Sequence, residues 1–190
     1  MQYDMKRGFT LIEIMTAMAI FSVVVVISMG SILAVFDLNR KSESVKSAMD
    51  NLNLAIESMA REMRFGSMYS CSPTLPTTLP PPLQDCADID GEESIAFRNT
   101  DRTRTIVYRK FGSGIQKSLD AGATFAPVTS PEITINDLKF YVLGTSTYGS
   151  GDREQPRIII KIRGIAGTKS NSQTDFTMQT MVSQRQLDNQ

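Results

Sequence analysis

One acidic residue lies inside the most apolar part of the chain. Between Phe9 and Phe36, Glu13 is the only charged side chain. An ionised carboxylate within a membrane-spanning helix costs about 2.5 kcal/mol or more. A helix that serves only as an anchor gains nothing from that cost, so we predict that Glu13 has a partner. The positive partial charge at a helix N-terminus also favours a carboxylate one turn inside it.

The apolar segment, residues 9–36, is long enough to cross a lipid bilayer. As an α-helix it spans roughly 42 Å, against about 30 Å for the hydrocarbon core. The β-branched run Val23–Ile27 favours a strand in water, but in lipid a helix satisfies its own backbone. Lys6 and Arg7 precede the segment. The positive-inside rule therefore places the N-terminus in the cytoplasm and the C-terminal domain outside it.

The start of this segment matches a known processing signal. Lys6 to Glu13 read Lys-Arg-Gly-Phe-Thr-Leu-Ile-Glu. This stretch resembles the cleavage and methylation motif of type IV prepilins and type II secretion pseudopilins, and the resemblance covers residues 6–36. It implies that the prepilin peptidase, a membrane aspartyl peptidase, cuts after Gly8 and that the new N-terminal Phe9 is N-methylated. Glycine suits a cleavage site because it has no side chain to keep a protease from the backbone.

Two other kinds of protein begin with an apolar segment. One is a domain held by an uncleaved signal anchor. The other is a secreted protein with a cleaved signal peptide, for which Ser28 and Gly30 offer small residues at a cleavage site. The apolar run exceeds the roughly 7–15 residues of a signal-peptide core, and Glu13 lies within it. We therefore favour the prepilin interpretation.

The resemblance also implies a partner for Glu13. Cleavage leaves a positive α-amino group on Phe9 at the membrane face. In a growing filament, Glu13 of an incoming subunit pairs with Phe9 of its neighbour, and two charges that are each costly in lipid become tolerable together. We expect this pair to set the axial register during assembly. The alternative is a Glu13 side chain that only reaches the lipid headgroups.

Composition limits the chemistry that the rest of the chain can perform. There is no histidine, which removes the commonest general base and the commonest zinc ligand. No phosphate-binding loop or dinucleotide glycine pattern is present. We predict no catalytic residues, no enzyme activity and no cofactor.

Cys71 and Cys86 are the two cysteines of the chain. An even number in a region that faces an oxidising compartment favours one disulfide. This bond would close a loop of about 15 residues and contribute roughly 3 kcal/mol. The alternative is a pair of free, buried thiols.

Two charged clusters are candidate binding sites. Acidic residues surround Gly91: Asp85, Asp88, Asp90, Glu92 and Glu93. Their oxygens suit calcium, with Asp88 and Asp90 as the candidate ligands, but the spacing does not match an EF-hand loop. We expect a solvated loop and no metal site.

The second cluster is a strip of basic residues that could contact DNA. Its members are Arg98, Arg102, Arg104, Arg109 and Lys110. Asp101 interrupts the strip and few aromatic residues lie within it. The chain as a whole has 20 basic and 20 acidic residues. Both observations argue against nucleic acid as a partner.

The remaining sequence predicts an α+β domain. In residues 37–66 apolar side chains recur every three or four positions, which indicates an amphipathic helix continuous with the apolar segment, from 9 to 65. The stripe consists of Leu38, Val45, Met49, Leu52, Ile56, Met59 and Met63. Strand-like runs follow at Ser94–Arg98, Arg104–Phe111, Gly114–Leu119, Ile133–Leu143, Pro156–Ile165 and Phe176–Val182. A long helix followed by consecutive strands predicts an antiparallel sheet packed on that helix, as in type IV pilins.

We therefore divide the chain into five segments. They are a prepilin leader (1–8), a transmembrane and filament-core helix (9–36), an amphipathic helix of the globular domain (37–66), a Pro-rich loop with the cysteine pair (67–93) and a β-rich domain (94–190).

The resemblance narrows the expected function to a structural subunit. Ala19-Ile20-Phe21, the helix end Leu52–Arg64 and the final strand from Phe176 to Arg185 resemble J-type minor pseudopilins and PilW-like minor pilins. Such a protein primes or caps assembly of a type II secretion pseudopilus or a type IV pilus. The implied partners are the prepilin peptidase, other pilins or pseudopilins, the inner membrane and its assembly platform. The alternatives are a minor pilin for DNA uptake and a signal-anchored extracytoplasmic binding protein.

Overall fold

The computed structural model describes most of the chain. The described residues are 8–71, 83, 85–86, 90–146, 154–167 and 173–185. Within them the chain forms one helix and eight β-strands. It divides into two compact units, Met1–Glu43 and Ser44–Gln190.

The helix α1, Leu11–Phe65, is 55 residues long and confirms the continuous helix expected from the sequence. Its residues in the first unit leave their apolar side chains exposed, with Ile12 at 65% and Phe36 at 58%. An exposed apolar surface of this extent marks a face that lipid or protein covers.

In the second unit α1 buries one face against the sheets. Its fully buried residues include Leu52, Met59 and Met63, and Val45 and Met49 pack at the margin of the core. The predicted stripe is therefore confirmed from Val45 to Met63. Leu38, which was expected to continue the stripe, is instead 65% exposed and belongs to the first unit.

The first sheet contains five strands in sequential antiparallel order. They are β1 (Ser67–Ser70), β2 (Ser94–Arg98), β3 (Thr105–Phe111), β4 (Gly114–Ser118) and β5 (Ala126–Pro127). Phe97, Tyr108 and Ile115 lie on the buried face. Glu62 of α1 accepts a hydrogen bond of 2.8 Å from the Tyr108 hydroxyl and forms an ion pair with Lys117. These contacts join the helix to this sheet.

The second sheet contains three strands in the order β6-β7-β8. They are β6 (Ile133–Leu143), β7 (Arg157–Ala166) and β8 (Thr174–Ser183). Alternate residues of β7, Ile158, Ile160 and Ile162, are buried. A register shift lies between Ile135 and Asp137, within the continuous strand β6. The α+β class with antiparallel sheets is thereby confirmed.

The expectation that residues 67–93 form a loop is wrong at both ends of that segment. Its first residues form β1, which pairs with β2. At its end, Cys86 and Glu92 form isolated bridges with Val142 and Phe140 of β6. Backbone pairing with a neighbouring strand holds these residues in place. Such pairing needs no alternating apolar pattern, and so the sequence showed none. The Pro-rich residues 72–82 lie outside the described residues.

Candidate functional site

Thr10 and Glu13 form a hydrogen-bonded cap at the start of α1. The Glu13 Oε2 atom accepts bonds of 2.9 Å from both the Thr10 amide and the Thr10 hydroxyl. The Thr10 hydroxyl in turn accepts a bond of 3.4 Å from the Glu13 amide. This reciprocal arrangement is a capping box, which satisfies amide groups that have no partner within the helix.

The capping box supplies Glu13 with a partner inside its own chain, which sequence analysis missed. The signal was present, because Thr10-Leu-Ile-Glu13 matches the pattern in which a threonine is followed three residues later by a glutamate. Among the described residues, Glu13 Oε1 has no hydrogen bond. One carboxylate oxygen therefore caps the helix, and the other is available to a second molecule.

Gly8 and Phe9 precede this cap as exposed, non-helical residues. Phe9 is 85% exposed. No atom lies within 4 Å of the position that a Cβ on Gly8 would occupy, apart from its chain neighbours. The bond between Gly8 and Phe9 is thus open to an approaching protease.

The apolar part of α1 satisfies its own polar side chains. The hydroxyl of Ser22 donates to the Met18 carbonyl, and that of Ser28 donates to the Val24 carbonyl, each at 2.8 Å. Thr16 and Ser31 make equivalent bonds to carbonyls in the preceding turn. In a hydrocarbon environment these hydroxyls need no water.

A shallow apolar groove lies on one face of the helix beside Glu13. Its lining residues are Phe9, Glu13, Ile14, Ala17, Met18 and Phe21. Ala17 leaves space between larger side chains. Glu13 is the one charged residue in its lining.

Comparison with known families decides how this segment is interpreted. Residues 4–35 match the family described as the prokaryotic N-terminal methylation motif. The chain therefore has a type IV prepilin-like N-terminal segment. No curated protein and no solved structure matches the chain.

The family match assigns a processing step to the segment. The motif implies cleavage by a prepilin peptidase and assembly with other pilins. Within the described residues, α1 is the one helix long and apolar enough to cross a membrane. Helix and motif together are consistent with a single-pass protein anchored in the inner membrane.

Cys71 and Cys86 are joined by a disulfide, with their Cα atoms 6.2 Å apart. Asp85 holds the same segment through its carboxylate, which accepts bonds of 2.8 Å from the Thr145 amide and 2.7 Å from the Thr145 hydroxyl. Partial burial raises the pKa of Asp85, but the bonds from Thr145 and Gly144 outweigh it, so the net pKa is lowered. These contacts fix residues 85 and 86 to the end of β6.

The acidic cluster does not assemble into a cation site where the structure describes it. Asp88 lies outside the described residues, and Asp90 is exposed. Glu92 is held by backbone bonds to Phe140, and Glu93 lies 3.9 Å from the Lys139 ammonium. No group of three or more acidic or cysteine side chains in the described parts of the chain could hold a metal ion.

The basic strip is divided between two faces of the first sheet. Arg109 has its guanidinium carbon 3.5 Å from the centroid of the Phe125 ring and 4.8 Å from that of Phe111. It also donates a bond of 2.9 Å to Gln116. Lys110 follows Arg109 in the strand and so points to the opposite face. The strip therefore offers no continuous row of cations to a phosphate backbone.

Proposed function

We propose that this prepilin-like protein is a minor pilin or pseudopilin that primes or caps assembly of a type IV pilus or a type II secretion pseudopilus. The observation that carries the proposal is the methylation motif at the start of an exposed apolar helix. In the membrane, lipid covers that helix. In a filament, the helices of other subunits cover it.

Assembly requires that Gly8 be cut from Phe9 on the cytoplasmic side. Lys6 and Arg7 support this orientation, because basic residues are retained in the cytoplasm. The second unit then lies outside the cytoplasmic membrane, where the disulfide between Cys71 and Cys86 is stable. The assembly platform of the inner membrane draws the processed chain into the filament.

Glu13 sets the axial register in this proposal. Its Oε2 atom caps the helix through Thr10, and Oε1 is open to the methylated amino group of a neighbouring Phe9. Phe9 lies at the edge of the same groove as Glu13. A neighbouring subunit that docks there brings its own N-terminus within reach of a carboxylate already held in place.

A role as a minor rather than a major subunit is supported by the size of the second unit. It spans Ser44–Gln190 and contains two separate sheets. A major subunit that only repeats along a filament needs a smaller domain. J-type pseudopilins and PilW-like minor pilins, which the sequence resembles, are the proposed subtype.

Peptide mass spectrometry of the N-terminus tests the processing step on protein taken from native membranes. We expect a peptide that begins with N-methyl-Phe9. An intact Met1 terminus, in cells with an active prepilin peptidase, would contradict the proposal and leave a signal-anchored domain.

Substitution of Glu13 tests the assembly step separately. We expect Glu13→Ala to be cleaved after Gly8 but to be lost from sheared filaments. Glu43→Ala, which removes an exposed acid from the same helix, is the matched control and assembles normally. Wild-type incorporation of Glu13→Ala would show that Glu13 does not set the register.

A further inference from the structure

The two long edges of the second sheet differ in how they are covered. Along β6, Val142 pairs with Cys86, Phe140 pairs with Glu92, and the Ile135 amide donates to Ser113. Along β8, the described residues form a ladder with β7 and with no other strand. Among the described residues, the sheet therefore has one covered edge, β6, and one open edge, β8.

The register shows which backbone groups of β8 face outward. The Gln184 amide donates to the Pro156 carbonyl at 2.9 Å, in line with the antiparallel register of β7 and β8. In such a ladder, alternate residues bond to the same neighbour, so even-numbered residues of β8 bond to β7. The next amide, Arg185, points the other way and donates to the Arg64 carbonyl at 2.8 Å. The outward-facing residues of β8 are therefore Asp175, Thr177, Gln179, Met181 and Ser183.

This edge lacks the features that usually protect an exposed strand. Lysine, proline and bulges are the common devices against edge-to-edge pairing. β8 has the sequence Thr-Asp-Phe-Thr-Met-Gln-Thr-Met-Val-Ser, with neither lysine nor proline. Its ten residues pair with β7 without a register shift. The strand is long, regular and open.

The side chains of β8 are also incompletely covered. Phe176 and Met178 pack against the core but stay half-buried. On the opposite face Met181 is 60% exposed. A further strand beside β8 would extend the buried layer over Phe176 and Met178.

We propose that the open edge of β8 binds a β-strand from a neighbouring, different filament subunit. The inference rests on the proposed function, because the filament supplies the neighbour. An extended strand is the element whose alternating amides and carbonyls match the five outward-facing residues. Its side chains beside Phe176 and Met178 must be apolar, since they face the core side of the sheet.

Charge selects the partner further. Asp175 is the one charged residue of β8, and it is exposed. The docked strand therefore carries a basic residue near Asp175. A second copy of β8 has no basic residue within the strand, and Arg185, which follows it, already lies over the Phe65 ring of its own chain. A second copy therefore does not complement Asp175. A different subunit is the better occupant for this reason.

Hydrogen exchange tests the docking at single amides. The full chain is measured in native membranes and in sheared filaments. We expect the amides of Thr177, Gln179 and Met181 to become protected in filaments. Those of Met178 and Thr180 bond to β7 and are protected in both states. Equal exchange of the outward amides in both states, in a chain that enters filaments, overturns the docking and leaves the proposed function intact.

Proline at an outward position provides the second test. Gln179→Pro removes one outward amide and keeps the ladder with β7, which an edge strand tolerates. Gln179→Ala removes the same side chain and keeps the amide. We expect both variants to be cleaved after Gly8 and to keep their melting temperature. The amount of Gln179→Pro in filaments should fall about tenfold, whereas Gln179→Ala should match the wild type. The loss arises because proline removes one hydrogen bond to the docked strand and its ring clashes with that strand.

The remaining outcomes also decide the question. Equal incorporation of Gln179→Pro and Gln179→Ala overturns the docking. A Gln179→Cys chain that forms disulfide-linked homodimers in filaments shows that a second copy occupies the edge and overturns the choice of a different subunit. A chain that is neither cleaved nor found in filaments contradicts the proposed function, and the docking inference with it.

Discussion

The two halves of α1 share one backbone conformation and have opposite side-chain environments. Met18 in the first unit is 65% exposed, whereas Met59 in the second unit is fully buried. Both residues are flexible and apolar. The difference shows that the first half has its apolar surface ready for lipid or other helices, while the second half has used its apolar face to build a domain.

The polar residues of the two halves differ in the same way. In the first unit the hydroxyls of Ser22 and Ser28 bond back to their own helix. In the second unit Glu62 bonds outward to Tyr108 and Lys117 of the first sheet. A helix destined for hydrocarbon satisfies itself, and a helix in a domain uses its polar groups to bind its neighbours.

The largest effect is expected from removing a buried methionine. Met59→Ala should destabilise the domain by about 2–5 kcal/mol, because it leaves a cavity in the core. Met18→Ala, the matched change in the exposed half, should leave domain unfolding unchanged. Thermal unfolding of the full chain in detergent measures both. A similar loss of domain stability in both variants would show that the two halves of α1 contribute equally to the domain core.

Glycines in the two units allow the next comparison. A Cβ on Gly164 would lie within contact distance of the Thr134 carbonyl and 2.9 Å from the Phe176 ring. Gly164→Ala should therefore cost about 1–3 kcal/mol through overpacking. A Cβ on Gly30 would meet nothing within 4 Å, so Gly30→Ala should instead favour the helix by about 1 kcal/mol. Melting curves measure the expected loss of domain stability in Gly164→Ala. Circular dichroism measures the expected gain of helix content in Gly30→Ala. Equal tolerance at both positions would contradict the comparison.

The capping box provides a smaller local test in the first unit. Thr10→Val removes the hydroxyl but keeps the shape of the side chain, and Thr10→Ser restores the cap. Loss of an N-cap costs about 0.5–2 kcal/mol of helix stability. We expect faster amide exchange at Leu11 to Glu13 in Thr10→Val alone, with domain melting unchanged. Faster exchange in both variants would assign the effect to packing of the threonine methyl group.

The smallest effect concerns an exposed carboxylate of the second unit. Bonds from Ser118 and then Thr124 lower the pKa of Asp120 to about 2. Because the folded pKa lies below the unfolded value of about 4, this group stabilises the domain above pH 4 and loses that effect as the pH falls towards 2. The melting temperatures of wild type and Asp120→Asn should differ at pH 7 and converge near pH 2. A constant difference would assign the effect to the amide rather than to the charge.

Much of the fold follows from local patterns. The strands β2, β3, β4, β6, β7 and β8 lie close to their predicted positions, since each has enough residues for its composition or alternation to show. β1 and β5 were missed because four and two residues are too few for such a pattern. They are strands because a neighbouring backbone pairs with them.

The residues of the candidate site also divide into those that a local pattern predicts and those that it does not. Gly8, Phe9 and Glu13 are recognisable because the motif is contiguous. Thr10 was overlooked although its spacing from Glu13 predicts a capping box. Phe125 could not be linked to Arg109 from sequence, because β4 and a turn separate them along the chain.

Local sequence is enough to predict the features of residues 6–36: a processing motif, a membrane-length helix and one acidic residue inside it. Those features depend on neighbours within one or two helical turns, and so a linear pattern records them. Which residues surround Arg109, and that β8 rather than β6 is the open edge among the described residues, became clear from the three-dimensional structure alone. Each of these depends on contacts between residues far apart in the chain, and such contacts form only when the chain folds.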